Sequence, residues 1–135
     1  NIIKNDQSLS DIKVMVVDDN QYNREIACEL LRENGAHIIE CASGSEAVDY
    51  IKYRNGIVDI ILMDVCMPDM DGFEATRLIR QLEKDRWQDI PIVAMTANAF
   101  DEDRKKALEH GMNGHIAKPF DIDTFAETVL KYVKY

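Results

Sequence analysis

The sequence predicts a doubly wound α/β fold, in which a five-stranded parallel sheet of order 2-1-3-4-5 carries helices on both faces. Three observations support this fold class. The chain has 135 residues, the size of one domain that can bury a full core. Short apolar segments alternate five times with segments that have helical spacing. Right-handed crossovers leave few topologies, and the chain is too short for a barrel of eight strand–helix units.

The predicted strands are short and apolar. The third is an unbroken apolar run from Ile60 to Met63, as expected for a strand that is buried on both faces. It ends abruptly in Asp64, where desolvation makes a charge costly, and Pro68 and Gly72 soon follow. In chain order the predicted strands are Ile12–Val17, His37–Cys41, Ile60–Met63, Ile90–Met95 and Asn113–Ala117.

Each strand is followed by a predicted helix, and the first, third and fifth of these helices have apolar residues at helical spacing. The first helix ends near Asn34, and the fourth, which is polar, stops at Gly111. Ser43 is the predicted N-cap of the second helix, because Glu46 stands where a capping box requires it. The apolar positions of the first helix are Tyr22, Ile26 and Leu30, together with Ala27 and Leu31. Those of the third and fifth helices are Ala75, Leu78, Ile79 and Leu82; and Ile122, Phe125, Val129, Tyr132 and Val133.

Residues 1–10 are polar and aperiodic and are predicted to be a linker or lead-in segment, so the folded domain covers residues 11–135. The chain begins at Asn1 rather than Met, which we expect of a piece excised from a longer protein. No apolar run approaches the roughly 20 residues that span a bilayer, and no signal segment opens the chain. We expect a cytoplasmic domain without membrane contact, in a parent protein that could be membrane-attached.

The formal net charge of -9 argues against direct binding of a nucleic-acid backbone. A basic partner surface or a bound cation fits this charge better. The three cysteines are odd in number and lack a C-x-x-C spacing, which indicates neither a disulfide framework nor a zinc site. Cys28 and Cys41 are interpreted as buried, reduced thiols.

Acidic residues fall where such a fold binds its ligands. In doubly wound sheets, ligands sit beyond the carboxyl ends of the strands, at the switch point between strands one and three. Asp18, Asp19 and Asp64 follow those two strands. Three crowded carboxylates repel by roughly 4 kcal/mol per pair at about 4 Å and an effective dielectric constant near 20. A hard divalent cation such as Mg²⁺, or the ammonium group of Lys118, could offset this repulsion.

Two further side chains complete a phosphoryl-accepting set. Thr96 ends the fourth strand and Lys118 ends the fifth, so a hydroxyl and an ammonium group reach the same edge as the acids. A carboxylate nucleophile that accepts a phosphoryl group needs a cation and such donors. Neither glycine-rich phosphate-binding motif occurs in the chain, which argues against a nucleotide.

Four motifs in order, VMVVDDN, ILMDVCMPDMDG, MTANA and HIAKPF, resemble those of the response-regulator receiver domain of two-component phosphorelays. The resemblance covers essentially residues 11–135 and implies a flavodoxin-like fold. The motif variants are most similar to receivers attached to hybrid sensor histidine kinases. The resemblance implies that Asp64 is the phosphoacceptor. It also implies that Asp19, Asp64 and the backbone carbonyl of Cys66 ligate Mg²⁺, with Asp18 acting largely through water and Mn²⁺ as a possible substitute.

The same resemblance assigns the groups around the phosphoryl oxygens. Lys118 would pair with the phosphoryl group and Thr96 would hydrogen-bond it, helped by the Val65 and Ala97 amides. The peptide bond between Lys118 and Pro119 would be cis, a form that occurs before proline. His115 is a departure, because many receivers have an inward-turning Tyr or Phe there that follows the Thr hydroxyl. An imidazole at this position argues against the form of the switch that uses a Tyr or Phe ring.

The predicted function is that of a phosphoacceptor domain, which takes a phosphoryl group from a phosphohistidine on a histidine kinase or a histidine phosphotransfer domain. It would assist its own phosphorylation and dephosphorylation without being a conventional turnover enzyme. The context is a hybrid histidine kinase, with a stand-alone single-domain response regulator as the alternative. One alternative function is that of a haloacid-dehalogenase-like phosphatase, but that family requires a second acid at the position of Cys66. The other is a binding module that signals without phosphate. The oligomeric state is left open.

Overall fold

A computed structural model describes residues 9–54, 58–82, 85–96, 101–117 and 122–133. Over these residues, parallel strands alternate with helices. The strands are β1 (Lys13–Val17), β2 (His37–Cys41), β3 (Ile60–Asp64), β4 (Ile92–Thr96) and β5 (Gly114–Ala117). The helices are α1 (Gln21–Glu33), α2 (Gly44–Arg54), α3 (Gly72–Arg80), α4 (Asp85–Asp89), α5 (Asp101–Glu109) and α6 (Ile122–Tyr132).

The five strands form one parallel sheet in the order β2-β1-β3-β4-β5. This order confirms the predicted fold class. In the ladder between β1 and β3, Val14 lies opposite Ile60 and Val17 lies opposite Met63. The two strands therefore end side by side, and the residues that follow β1 lie next to Asp64, the last residue of β3.

The sheet separates two apolar cores, which explains the unbroken apolar runs of its central strands. Met63 and Ile61 of β3 belong to the core that includes residues of α2 and α3. Leu62 and Ile60 belong to the core on the opposite face, together with residues of α1 and α6. All five residues of β3 are buried, as expected for a strand between two helical layers.

The helix starts follow ordinary capping chemistry. Ser43 Oγ accepts a hydrogen bond from the Glu46 N–H (3.0 Å), as the predicted capping box requires. The reciprocal bond differs by one residue, because Glu46 Oε1 accepts from the N–H of Ala42 (3.0 Å) rather than from that of Ser43. At the start of α3, Asp71 is the N-cap and its side chain accepts from the Glu74 N–H (2.9 Å).

The short helix α4 was not predicted. It has five residues, Asp85–Asp89, which is too few for an apolar period of 3.6 residues to appear in the sequence. It nevertheless contributes Trp87, whose side chain is 2% exposed in the α2/α3 core. The next strand begins at Ile92 rather than at the predicted Ile90, since Pro91 has no N–H to give to a ladder.

The end of the predicted lead-in segment packs into the domain. Leu9 is fully buried in the α1/α6 core. Its N–H donates to the carbonyl of Asn34 (2.9 Å) at the end of α1, and its carbonyl accepts from the Ile12 N–H (3.1 Å). Leu9 stands between Ser8 and Ser10, and an isolated apolar residue gives no periodicity, so the boundary predicted between residues 10 and 11 does not anticipate this contact.

None of the helices in the described part of the chain combines the length and the apolar character that crossing a membrane requires.

Candidate functional site

Three aspartates meet at the carboxyl edge of the sheet. Asp18 and Asp19 follow β1 directly, and Asp64 is the last residue of β3. One carboxylate oxygen from each lies within 4.8 Å of the others. Asp18 and Asp64 are buried, at 1% and 4% exposure, whereas Asp19 is exposed. The structure therefore brings together the three acids that the sequence placed at the switch point between strands one and three.

Local main-chain bonds hold the two buried carboxylates in place. Asp18 Oδ1 accepts from the N–H of Asn20 (2.9 Å), and Asp64 Oδ1 accepts from the N–H of Cys66 (3.3 Å). Both bonds run from a residue to the second residue after it, the pattern of an Asx turn. This geometry turns each carboxylate toward the loop that leaves its strand, and so toward the shared edge.

The amide predicted at Val65 is directed elsewhere in this structure. The Val65 N–H donates to the carbonyl of Met95 on the neighbouring strand β4 (3.3 Å), which extends the sheet past Asp64. The amide that faces the Asp64 carboxylate is that of Cys66. The physical reason is that successive strand N–H groups point to opposite sides, so the two amides cannot both reach the carboxylate. The role of the Val65 amide toward a phosphoryl group stays a prediction.

Thr96 lies beside the acidic cluster. It is the last residue of β4 and is 4% exposed. The register pairs Asp64 with Met95, so Thr96 lies one residue beyond the position opposite the predicted phosphoacceptor. It pairs with Ala117 on β5, whose next residue in the chain is Lys118. Lys118, Pro119 and Ala97 lie outside the described residues, so their roles stay predictions.

Two other predicted residues are described. His115 lies in β5, is partly buried, and pairs in register with Ala94. Cys66 follows Asp64 by two positions, and its thiol is free and exposed. The proposed ligand atom at this position is the main-chain carbonyl, so the role of Cys66 as a metal ligand stays a prediction, as does the switching role of His115.

Gly72 has a contact at the site that the sequence analysis did not identify. A Cβ atom on Gly72 would lie 2.3 Å from the carbonyl oxygen of Asp64 and 2.9 Å from Cα of Val65. The first turn of α3 is thus pressed against the end of β3, and the Gly72 N–H donates to the Val65 carbonyl (3.3 Å). In the sequence, Gly72 is visible only as a glycine that follows a candidate helix N-cap, Asp71. The close approach of α3 to β3, which requires glycine there, is visible only in the packing.

The donor set fits a hard divalent cation. Within the described residues, the cluster at the edge consists of three aspartates, which offer oxygen ligands and a high negative charge. Magnesium prefers oxygen ligands, binds through one or two carboxylates and keeps several waters, whereas zinc sites use histidine or cysteine. An exposed carboxylate at Asp19 beside two buried ones gives such an ion both protein ligands and access to water.

Comparison with known proteins identifies the family. The model of the response regulator receiver domain matches residues 14–130. Hybrid signal transduction histidine kinase L of Dictyostelium discoideum is 40% identical over 124 residues, which are 90% of this chain and 7% of that kinase. The chain therefore spans a small part of the length of this relative.

Two solved structures are similar. One is the receiver domain of the sensor histidine kinase PA1611 of Pseudomonas aeruginosa, which has a magnesium ion in its active site cleft. It is 34% identical, with a TM-score of 0.80, and the match covers 90% of this chain and 97% of that one. The other is the complex of the Saccharomyces cerevisiae phosphotransfer protein Ypd1 with the receiver domain of Ssk1. It is 28% identical, with a TM-score of 0.79, and the match covers 90% of this chain and 88% of that one. The chain belongs to the response regulator receiver domain family of two-component signalling and is related to the receivers of hybrid histidine kinases.

Proposed function

We propose that this domain accepts a phosphoryl group on Asp64 from a phosphohistidine of a partner protein. One observation carries the proposal: three aspartate carboxylates from two adjacent strands meet within 4.8 Å at the carboxyl edge of the sheet. Asp64 ends a fully buried strand, and a carboxylate in that position is costly unless a cation or hydrogen-bond donors offset its desolvation. A cation held by the neighbouring acid pair would offset this cost and leave the carboxylate available as a nucleophile.

The chemical step is an in-line displacement at phosphorus. A carboxylate oxygen of Asp64 forms a bond to phosphorus while the bond from phosphorus to the histidine nitrogen breaks, and the leaving imidazole takes up a proton from water. The Cys66 amide, 3.3 Å from Asp64 Oδ1, keeps the nucleophile oriented. The hydroxyl of Thr96 and the ammonium group of Lys118 would donate to the phosphoryl oxygens.

The acid cluster would hold Mg²⁺, or Mn²⁺ in its place. Asp19, Asp64 and the carbonyl of Cys66 would be direct ligands, and Asp18 would act through water. When bound, the cation supplies positive charge that offsets the crowded carboxylates and the charge of the transferring group. The cleft of the PA1611 receiver, which holds a magnesium ion, supports this assignment by similarity.

The exposed apolar residues of α1 would form part of the partner-docking surface. Tyr22 is 72% exposed and Ile26 is 36% exposed, and the two are four residues apart on the helix that starts just after Asp19. A partner helix that covers them would bring its phosphohistidine close to the acid cluster. The relative Ssk1 receiver is known in complex with a phosphotransfer protein, which is the class of partner proposed for this chain.

The proposal extends to context and boundaries. We infer a receiver unit over residues 11–135, with Leu9 at the end of the preceding linker packed into its core. We also infer that this unit belongs to a cytoplasmic region of a hybrid histidine kinase, because the Dictyostelium relative is such a kinase. The acyl phosphate on Asp64 would change the charge around Thr96, and the surroundings of Thr96 and the surface formed by α5 and β5 would repack in response. His115 would respond to this repacking without an aromatic ring turning inward.

The test is intact-mass spectrometry after incubation with acetyl phosphate, with and without Mg²⁺. We expect a single phosphoryl adduct on the native chain that requires Mg²⁺ and is lost in hydroxylamine, as acyl phosphates are. Asp64→Asn should abolish it. The matched control is Asp69→Asn, because Asp69 is exposed in the following loop and asparagine tolerates its positive φ of 66°. An adduct that survives in Asp64→Asn would overturn the proposal.

A further inference from the structure

The side chain of Arg24 links the Asp18–Asp19 pair to β2, the outermost strand of the sheet. Arg24 lies in the first half of α1 and is 15% exposed. Its Nη1 donates to the main-chain carbonyl of Asp18 (2.8 Å), and its Nε donates to Oε1 of Glu40 on β2 (3.3 Å). One guanidinium group thus contacts the peptide that links Asp18 to Asp19 and a carboxylate from the outermost strand.

Asp18 is fixed through both of its main-chain groups. Its N–H donates to the carbonyl of Cys41 on β2 (3.1 Å), and its carbonyl accepts from Arg24. The orientation of the Asp18–Asp19 peptide sets the direction in which both carboxylates leave the backbone. A guanidinium that holds this carbonyl therefore orients two members of the acid cluster without touching their side chains.

The carboxylate of Glu40 offsets the positive charge of Arg24 near the acid cluster. Its second oxygen, Oε2, accepts from Nη2 of Arg32 (3.2 Å), so one carboxylate contacts two guanidinium groups. An unpaired guanidinium beside Asp18 would repel a divalent cation at the cluster. Glu40, at 3.3 Å from Arg24, offsets this charge and leaves the hydrogen bond to the Asp18 carbonyl intact. Arg32 is 54% exposed, so solvent screens most of the effect of its own charge on the acid cluster.

We propose that Arg24 is a positioning residue for the cation site, and that Glu40 is its charge partner. Arg24 orients the Asp18–Asp19 peptide, and Glu40 keeps the guanidinium from weakening cation binding. The inference rests on the proposed function, since it assigns a role toward the cation that the acid cluster would hold. It extends the site from the three aspartates to α1 and to the edge strand β2.

The experiment is calorimetric titration with Mg²⁺ alone, in the absence of a phosphoryl donor. Groups that orient metal ligands typically change affinity by about 10- to 100-fold, and we expect Arg24→Ala to weaken Mg²⁺ binding by roughly 10-fold. Arg24→Lys should recover only part of this loss, because one ammonium group cannot contact both the Asp18 carbonyl and Glu40. Arg32→Ala is the matched control and should bind Mg²⁺ within about twofold of the native chain.

Glu40→Gln separates orientation from charge. This variant keeps the shape of the side chain and leaves the charge of Arg24 without compensation, so we expect roughly threefold weaker Mg²⁺ binding at low salt. Since the effect is electrostatic, it should shrink at about 1 M salt, where the Debye length is about 3 Å, whereas the loss in Arg24→Ala should persist. The double variant Arg24→Ala/Glu40→Gln should bind like Arg24→Ala, because Glu40 acts through Arg24.

Two results would overturn the inference. One is native Mg²⁺ affinity in Arg24→Ala, and the other is strict additivity of the Arg24 and Glu40 effects. Circular dichroism identifies a variant that has failed to fold, and in that event Glu40→Gln and its salt dependence decide alone. If the native chain itself binds no Mg²⁺, the proposed function fails. If it binds Mg²⁺ and the variants do too, only the role of Arg24 fails.

Discussion

The two edges of the sheet both carry aspartates, but they hold them differently. At the amino edge, Asp59 Oδ2 accepts from the N–H of Lys13 (2.8 Å), while the N–H of Asp59 donates to the Lys13 carbonyl (2.8 Å). This carboxylate closes the start of a strand ladder. At the carboxyl edge, Asp64 lies within 4.8 Å of two other aspartates. The Asp59 carboxylate completes a backbone ladder, whereas the three crowded carboxylates at the other edge offer the oxygen ligands that a divalent cation prefers.

Among substitutions that leave the acids unchanged, we expect Gly72→Ala to have the largest effect on the carboxyl edge of the sheet. The added Cβ would lie 2.3 Å from the Asp64 carbonyl oxygen, so β3 and α3 must separate. We expect a loss of about 3 kcal/mol in unfolding free energy, the upper range for overpacking. Phosphorylation by acetyl phosphate should also slow at least 10-fold, because Asp64, the proposed phosphoacceptor, would move. Urea denaturation and intact-mass time courses measure the two effects.

Gly111→Ala is the matched control at the opposite edge. Gly111 follows α5 with a φ of +95°, and its added Cβ would meet side-chain atoms at 3.4 Å or more. We expect a cost of about 1 kcal/mol from the left-handed backbone conformation and an unchanged rate of phosphorylation. Equal phosphorylation rates for the two glycine variants would contradict the close approach of α3 to the site.

The buried thiols of Cys28 and Cys41 make the stability of the domain depend on pH. Burial raises the pKa of both Cys28 and Cys41 to about 12, from an ordinary value of 9.0. The native state therefore holds these protons more tightly than the unfolded chain does. The resulting stability is fully present below pH 9 and is lost as the pH rises toward 12. Between pH 8 and pH 10 we expect the unfolding free energy to fall by about 2–3 kcal/mol through these two thiols.

The measurement is urea denaturation across this pH range, compared with a Cys28→Ala/Cys41→Ala variant. Lysines and tyrosines titrate in both proteins, so the difference between the two curves isolates the thiols. Iodoacetamide at pH 8 should modify Cys66, which is exposed, and spare the other two cysteines. Parallel curves for the two proteins would show that the buried thiols do not contribute.

The smallest effect is expected at the amino edge, from Asp59→Ala. The variant loses the hydrogen bond to the Lys13 N–H, and we expect a cost of about 1 kcal/mol in unfolding free energy. Mg²⁺ affinity and the yield of phosphoryl adduct should not change, because Asp59 lies at the opposite end of β3 from Asp64. A 10-fold fall in Mg²⁺ affinity or in adduct yield would show that Asp59 also contributes to the site, contrary to the structural role assigned to it.

The sequence predicted the parts of the molecule that depend on local pattern and strand order. The buried run before Asp64 predicted a strand with helices on both sides, and the order of the sheet then placed Asp18 and Asp19 beside it. The five-residue helix around Trp87 was missed, since it is shorter than the period that reveals a helix. The burial of Leu9 was missed because one apolar residue makes no pattern.

The details of the site depend on contacts that no local pattern encodes. Gly72 matters because its Cα lies against the Asp64 carbonyl, and Arg24 matters because of a carboxylate 16 residues away at Glu40. The Cys66 amide faces the Asp64 carboxylate while the Val65 amide continues the sheet, and sequence alone does not tell which successive N–H points which way. The residue types at the strand ends could be predicted from the sequence. The directions in which their side chains and main-chain amides point could not.

The position of β3 between two apolar cores has a consequence for how the chain can vary. Residues 60–63 of β3 each belong to one apolar core or the other, so a substitution there disturbs the strand that carries Asp64. The exposed face of α1, by contrast, can change its side chains without moving that strand. The helical surface of this domain can therefore vary while the carboxylate of Asp64 keeps its position at the end of β3.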